Sequence, residues 1–371
     1  MIRYCTNVIR YSQLIAVALF FTLLSACTLS GNKAQENSRE VTDLAGRKVV
    51  VPKAITRVYV NRPGAVLLYS LAPDLMVNRP LWITDGAQNY LTTAYQQLPY
   101  TEGSVEEIIK LHPDIIIYSG NINAKTKDDA DKLSEKSGIP VYMISMDMAS
   151  YEKNFTALGT LLNRTEQSAR MSQFLHTYFD SIAVKAKQIP QAKRVRVYYA
   201  EGTRGLNTDP SGSFHSQIID LVGAHNVADV GITPGQGMSA VSMEQLLLWN
   251  PDVVLVWTGM GGSMTTMQAI KNDPLWAKVR AVQEKKLYQI PYLPFGWFDR
   301  PPATNRILGA IWTAQLLYPD IYRYDLQSVT KEFFEIFYHH KLSDAELQTL
   351  LHPTVTAQTS FPASRKTTNP L

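Results

Sequence analysis

Four arginines stand in short loops beside glycine or aromatic residues, a combination suited to holding a small anion. They are Arg62, Arg79, Arg204 and Arg300. A guanidinium group presents its N–H donors in a planar fork that matches carboxylate, catecholate-like or phosphate-like oxygen atoms. The aromatic residues of these loops, which could stack on a planar ligand or a macrocycle, are Trp82, Trp297 and Phe298. The sequence therefore predicts a binding site for an anionic ligand.

No residue pattern predicts catalysis or a metal held by the protein alone. The glycines at 259–262 lack the spacing of a phosphate-binding loop, and there is no His-x-x-x-His pair. No serine and histidine are placed as a nucleophile and its base. We therefore expect a protein that is not an enzyme and has no cofactor.

The first residues predict a lipoprotein signal peptide, residues 1–26. An apolar stretch of about eleven residues, 14–24, is too short for a transmembrane span and suits a signal peptide. It ends in Leu24-Ser25-Ala26-Cys27, which resembles a bacterial lipobox in which Cys27 carries the lipid; the alternative is an ordinary signal peptide with a chance cysteine. Residues 27–40 then predict a flexible tether, and 353–371 a loose tail. The formal net charge is +4, and the chain contains no run of basic residues. Both observations argue against nucleic-acid binding.

One segment of the chain occurs twice. The skeleton Ser-x-Glu, six residues, Pro-Asp and four apolar residues covers 104–118 and again 242–256. Each copy predicts a helix capped by its serine, Ser104 or Ser242, with Glu107 or Gln245 closing a capping box. The apolar run after each Pro-Asp is typical of a parallel strand covered on both faces. Two copies predict two lobes of similar construction.

Strand and helix patterns alternate around both copies, which predicts parallel sheets with helical crossovers. Strands are expected at 57–60, 75–78, 115–118, 141–144, 195–200, 253–257 and 287–290. Residues 165–188 contain no glycine or proline and predict one rigid helix. The expected fold is α/β, with two Rossmann-like lobes joined by this helix. The lobes span 41–150 and 190–352, with a linking helical segment at 151–189.

Three stretches carry a resemblance to a known family. Val41-Thr-Asp-Leu-Ala-Gly-Arg-Lys-Val-Val-Val-Pro52, the repeated Ser-x-Glu…Pro-Asp unit, and the segment from Asp273-Pro-Leu-Trp to Ile290-Pro291 resemble periplasmic binding proteins for ferric siderophores, haem and cobalamin. The similarity covers about residues 41–318. It implies a ligand between two lobes, little hinge motion, and an ABC importer whose permease and ATPase subunits accept the ligand.

The resemblance also implies roles for two glutamates. Glu106 and Glu244 match the family glutamates that meet arginines of the permease, and each lies at the second helical position, where favourable placement against the helix dipole is the alternative reason. The segment 295–302 resembles a subgroup of iron or metal-chelate binders. An anionic iron–siderophore chelate is the expected ligand. The ligand is thus expected to contain a metal such as iron. Haem, a nickel chelate and a molybdate-type oxyanion remain open as alternatives, with Tyr199 and His215 as candidate ligands for haem iron or another metal.

The expected protein is a monomeric substrate-binding lipoprotein, anchored to a membrane in the bacterial periplasm or at the cell surface. Two rival interpretations come from other classes. A chelatase-like enzyme of tetrapyrrole synthesis also has two α/β lobes, but the targeting segment and the lack of a clustered His/Glu pair disfavour it. A surface receptor that binds the same ligand without an importer is not distinguished by the sequence.

Overall fold

The computed structural model describes residues 37–233, 237–257, 259 and 265–351. The predicted signal peptide, Cys27 and the tail at 353–371 lie outside these residues. The tether predicted for 27–40 is too long at its end, because the first strand begins at Ser38. None of the helices in the described part of the chain is long and apolar enough to cross a bilayer.

The described residues alternate between strands and helices. The strands are β1 (Ser38–Thr42), β2 (Lys48–Pro52), β3 (Val58–Val60), β4 (Ile115–Gly120), β5 (Val141–Ser145), β6 (Arg196–Ala200), β7 (Asn207–Thr208), β8 (His225–Asn226), β9 (Ser239–Ala240), β10 (Val253–Val256) and β11 (Leu287–Gln289). The α-helices are α1 (Ala65–Leu71), α2 (Thr93–Gln96), α3 (Val105–Lys110), α4 (Ala124–Ser137), α5 (Tyr151–Leu161), α6 (Thr165–Phe174), α7 (Asp180–Ala186), α8 (Gln217–Leu221), α9 (Met243–Trp249), α10 (Thr265–Asn272), α11 (Arg280–Gln283), α12 (Asn305–Leu317), α13 (Leu326–Phe337) and α14 (Asp344–Leu351).

Two separate parallel sheets form the centres of the lobes, as predicted. The first has the order β3-β4-β5 and the second the order β11-β10-β6-β8. The apolar runs of β4 and β10 are almost wholly buried because helices cover both faces of each sheet. Two antiparallel pairs, β1 with β2 and β7 with β9, were not predicted. The strand predicted at 75–78 is wrong: it reduces to a 3₁₀ turn and one bridge from Met76 to Val58.

The repeated unit has the same internal bonds in both lobes. Ser104 and Ser242 cap α3 and α9, although only Ser104 forms a complete capping box, with Glu107; Gln245 returns no bond. The Asp114 carboxylate accepts the backbone N–H of Arg57 at 2.9 Å, and Asp252 accepts that of Arg196 at the same distance. Each aspartate therefore ties the start of its own strand to the start of the neighbouring one, which explains the repeated Pro-Asp.

The predicted connector is helical but not uniform. α6 runs into a π-helical turn, Leu175–Phe179, and then into α7, which ends at Ala186. One residue more per turn rotates the following helix about its axis and brings a different face inward. The connection is therefore one continuous helical rod with a change of face in its middle.

The last helices return to the first lobe. The Tyr69 hydroxyl of α1 donates to the carbonyl of Tyr338 at 3.1 Å, and Gln167 of α6 donates to the carbonyl of Ile336 at 2.7 Å. One apolar cluster therefore includes side chains of both lobes, from Val49 to Leu350. Because this core is continuous across the chain, large separation of the lobes would expose much apolar surface.

Candidate ligand-binding site

The carboxyl ends of parallel strands are where ligands of open α/β sheets bind. In the first lobe two asparagines organise this edge. Asn61 exchanges hydrogen bonds with the backbone of Ser119, and Asn78 does so with the backbone of Val60. These bonds explain why Val-Asn-Arg-Pro occurs twice, at 60–63 and 77–80. They place the arginine that follows each asparagine at the edge of the sheet.

An exposed aromatic platform lies beside the first of these arginines. Trp82 stacks on Tyr100 with ring centroids 3.9 Å apart and 23° between the planes, and its side chain remains 59% exposed. Arg62, also exposed, donates from Nη2 to the Tyr100 hydroxyl at 3.2 Å. Tyr100 was not singled out from the sequence, although its position near Trp82 in the chain could have suggested it. We call these three residues the rim platform.

Arg79 and Arg204 are placed differently from Arg62. Arg79 is partly buried and donates from Nη1 to the carbonyl of Leu81 at 2.7 Å, which stabilises the loop that carries Trp82. Arg204 is exposed on the second lobe, and its backbone carbonyl accepts the indole N–H of Trp276. The glycine-rich loop predicted at 258–262 lies outside the described residues apart from Gly259.

The structure corrects the prediction that Trp297 and Phe298 face the ligand. Trp297 is 1% exposed and donates its indole N–H to the carbonyl of Leu293. Phe298 is fully buried and packs on Tyr199, with the ring centres 4.9 Å apart. Gly309 of α12 packs directly on the Trp297 backbone. Both aromatic residues therefore support the loop from within.

Arg300 lies in a buried cluster of charges rather than at the surface of the cleft. Its guanidinium contacts the carboxylates of Glu201 at 2.6 Å, Asp209 at 3.0 Å and Asp299 at 2.9 Å. All three carboxylates are buried, and the guanidinium also lies over the ring of Trp257, 4.9 Å from its centre. We call Arg300 and these three acids the acidic cluster. Sequence reasoning missed Glu201 and Asp209 because they lie 99 and 91 positions from Arg300 in the chain, and nothing local shows that they fold onto it.

Burial changes the protonation of this cluster. Loss of solvation raises the pKa of Glu201 to about 9, with Arg300 opposing the shift and Asp209 adding to it. Three carboxylates share one guanidinium, so the carboxylate that is hardest to ionise keeps its proton. At neutral pH, Glu201 is therefore expected to be protonated.

The two candidate haem or metal ligands are both engaged inside the second lobe. Tyr199 is fully buried, and burial raises the pKa of its hydroxyl well above the ordinary value. His215 contacts the Asp299 carboxylate through Nδ1 at 2.5 Å. Within the described residues, no group of three His, Cys, Asp or Glu side chains is arranged to hold a metal ion.

The two lobes meet at the floor of the cleft through polar contacts. The Gln217 side chain of α8 donates to the Asp147 carboxylate, which follows β5, at 3.4 Å. The Tyr151 hydroxyl donates to the carbonyl of Ala303 at 2.7 Å. Gln217 also accepts from Arg306 at 3.0 Å. These contacts bring α5, α8 and the start of α12 together beneath the strand edges.

Glu106 and Glu244 occupy matching positions outside the cleft. Each lies in the first turn of its helix, α3 or α9, and each is exposed. A helix that precedes a parallel strand begins on the side where that strand ends, so both glutamates stand on the face that carries the cleft. Hydrogen bonds from its own backbone N–H and from the Ser242 side chain lower the pKa of Glu244, which therefore carries its charge at neutral pH.

The chain belongs to the periplasmic binding protein family, whose family model matches residues 66–292. A solved ABC transporter solute-binding protein from Sulfurospirillum deleyianum is 31% identical, with a TM-score of 0.76, over 84% of this chain and 98% of that one. The molybdate-binding protein MolA of Haemophilus influenzae is 25% identical over 349 residues, 85% of this chain and 96% of that protein. The haem uptake protein IsdE of Staphylococcus aureus is 26% identical over 202 residues, 53% of this chain and 65% of that protein.

Proposed function

We propose that this protein captures a small anionic metal chelate in the cleft between its lobes and delivers it to the permease of an ABC importer. Family membership supports the class of protein. The rim platform carries the proposal on the ligand, because it joins an exposed arginine, which follows β3 at the carboxyl-end edge of the first sheet, to two stacked aromatic rings. Such a surface suits a ligand that is negatively charged and has flat, partly apolar sides.

An iron–siderophore chelate fits this surface best. Catecholate or carboxylate oxygens supply the charge for Arg62, and the organic frame supplies the surface for Trp82. The metal would then belong to the ligand, with no protein side chain required to hold it.

A molybdate-type oxyanion is the second candidate. The molybdate-binding relative matches this chain over nearly its whole length. A bare oxyanion would use hydrogen-bond donors alone and would leave the rim platform without a role.

Haem is less favoured by the site. The haem-binding relative aligns with about half of this chain. Tyr199 is buried behind Phe298, and His215 bonds to Asp299, so neither presents an open ligand for haem iron.

The test is a titration of tryptophan fluorescence and of the melting temperature against a panel of compounds. The panel contains ferric catecholate, hydroxamate and citrate chelates, molybdate, haem, a nickel–histidine complex and cobalamin. We expect saturable binding of an anionic ferric chelate. Saturation by molybdate alone would select the second candidate, and no saturation by any compound would reject the proposed function.

Membrane anchoring through Cys27 belongs to the same proposal. A lipid on Cys27 would hold the protein near the permease. We expect Cys27→Ser to move the protein from the membrane fraction to the soluble fraction, measured by fractionation of cells, without changing ligand affinity. Retention in the membrane fraction would reject this anchor.

A further inference from the structure

Arg306, in the first turn of α12, is the only arginine or lysine that is fully buried among the described residues. It lies where the lobes meet. Its Nη2 donates to the carbonyl of Phe214 at 3.1 Å and to the amide oxygen of Gln217 at 3.0 Å, and Gln217 in turn contacts Asp147 of the first lobe. The Phe214 ring covers the guanidinium with its centre 4.7 Å away. The position of Arg306 is therefore fixed from the second lobe.

Two of the three nitrogen atoms of the Arg306 guanidinium lack well-formed hydrogen bonds within the described part of the chain. Nε and Nη1 are buried and neither makes a hydrogen bond of good geometry among the described residues, although the Tyr151 hydroxyl lies close enough for Arg306 to lower its pKa. A guanidinium carries five N–H donors, and Nη2 supplies the two bonds described above. Buried donors without partners are strongly unfavourable, and a buried charge without a partner more so.

No carboxylate within the described residues forms an ion pair with Arg306: both acceptors of Nη2 are neutral oxygens. Burial raises the pKa of the adjacent Tyr151, Arg306 lowers it, and Asp147 and Asp299 add smaller increases. Each of these two aspartates is engaged elsewhere. Asp147 caps Ala149, and Asp299 contacts His215 and Arg300. The residues that the structure leaves undescribed contain a single acidic side chain, Glu36. The segments 234–236 and 258–264 contain no acidic residue that could pair with Arg306.

We propose that Arg306 is the group that recognises the anionic oxygen atoms of the ligand at the floor of the cleft. This inference rests on the proposed function. Phe214 and Gln217 are each partly exposed and cover Arg306, so a shift of these side chains would open it to the cleft. An oxygen of a bare oxyanion or of a chelate would receive the N–H groups of Nε and Nη1 and neutralise the buried charge.

This assignment separates two roles within the cleft. The rim platform contacts the flat sides of the ligand, and Arg306 binds its negatively charged oxygen atoms. A neutral compound of the same size would leave Arg306 buried without a partner, so the site would discriminate against it. Anion selectivity therefore depends on one residue that is fully buried in the absence of ligand.

The first test compares Arg306→Lys with Arg47→Lys by calorimetric titration. Arg47 is a suitable control because it is also a well-buried arginine, paired with Asp43 in the first lobe away from the cleft. The titrants are molybdate, tungstate, ferric citrate, a ferric catecholate and cobalamin, so the arms separate a bare oxyanion from a chelate. We expect R306K to weaken binding of the anion that the wild type prefers by roughly 10- to 100-fold, since hydrogen bonds to charged groups are lost. R47K should bind as the wild type does.

A second variant keeps the test decisive if R306K does not fold. The exchange Asp147→Asn with Gln217→Glu preserves the total charge and the contact between the lobes, but it gives Arg306 a carboxylate partner inside the protein. We expect this double variant to melt at the same temperature as the wild type or higher without ligand, and to bind the anion at least tenfold more weakly. Glu135→Gln, at an exposed carboxylate of α4, is the control and should retain affinity.

The outcomes are distinct. Unchanged anion affinity in R306K or in the double variant overturns the role of Arg306 and leaves the proposed function standing. Tight binding of cobalamin alone overturns both the role of Arg306 and the proposed anionic ligand, because cobalamin carries no net charge. Failure of the wild type to bind any titrant rejects the proposed function and this inference together.

Discussion

Arg300 and Glu201 lie 2.6 Å apart, yet the geometry does not make them a simple ion pair. The same guanidinium also serves Asp209 and Asp299, and all three acids are buried. These charged contacts hold the loop 295–300 against the turn after β6. Because one positive group faces three acids, the protonation of Glu201 balances the cluster.

The stability of the protein is expected to depend on this proton. Folding raises the pKa of Glu201 from 4.5 to about 9, mainly through loss of solvation. The folded state therefore binds a proton that the unfolded state releases above pH 4.5, and the resulting stabilisation is lost as the pH rises to about 9. We expect the free energy of unfolding to fall by about 1 kcal/mol or more between pH 5 and 9, measured by urea denaturation.

Glu201→Gln should flatten this dependence, since glutamine stays neutral and similar in shape. The exposed Glu135→Gln on α4 is the control and should retain the slope of the wild type. An equal slope in E201Q would show that other groups in the acidic cluster carry the titration.

The packing of α12 on the loop 295–300 gives a second prediction. A Cβ added at Gly309 would overlap the carbonyl oxygen and carbon of Trp297, which are backbone atoms and cannot rotate away. We expect Gly309→Ala to lower the free energy of unfolding by about 3 kcal/mol or more, because overpacking against backbone forces the helix and loop apart. Gly231→Ala, which meets no atom within 4 Å, should be nearly neutral. A stable G309A would mean that the helix and loop are not in close contact.

The sequence predicted the two-lobed architecture because its signals are local. Six of the seven predicted strands are present to within two residues, since unbroken apolar runs beside Pro-Asp leave little choice of structure. The strand at 75–78 failed because Pro73 opens a 3₁₀ turn there. The π-helical turn in the connector has no sequence signal of the kind that glycine or proline gives.

The candidate site was predicted less well than the fold. Loops with arginine and tryptophan were found, but burial is decided by tertiary packing, which the local sequence does not contain. Trp297 and Arg300 belong to one loop and are buried for different reasons, one under α12 and the other among carboxylates. Arg306 was overlooked because an arginine in an apolar helix gives no sign of lacking a partner.

The rim platform yields a third prediction. Trp82→Ala should weaken binding of the chelate by roughly 2- to 10-fold, as expected for loss of one aromatic contact. It should also reduce the amplitude of fluorescence quenching, because Trp82 is the exposed indole beside Arg62. Ile321→Ala removes an exposed apolar side chain elsewhere and should change neither quantity. Full affinity in W82A would favour a bare oxyanion, which needs no aromatic surface.

The last prediction concerns delivery. Glu106 and Glu244 are exposed at matching positions of the repeated unit, and neither is needed for the capping bonds, which Ser104 and Ser242 provide. Two carboxylates on the cleft-bearing face, one on each lobe, would pair with basic groups of a permease. We expect the variant with both glutamates changed to alanine to bind ligand with unchanged affinity and to lose uptake in cells that express the importer. Each single variant should retain part of the uptake, because one lobe still docks.

The control replaces Glu135 and Glu335, two exposed glutamates away from that pair, and should transport normally. Normal uptake by the Glu106 and Glu244 double variant would remove docking from these residues and leave their placement to the helix dipole alone.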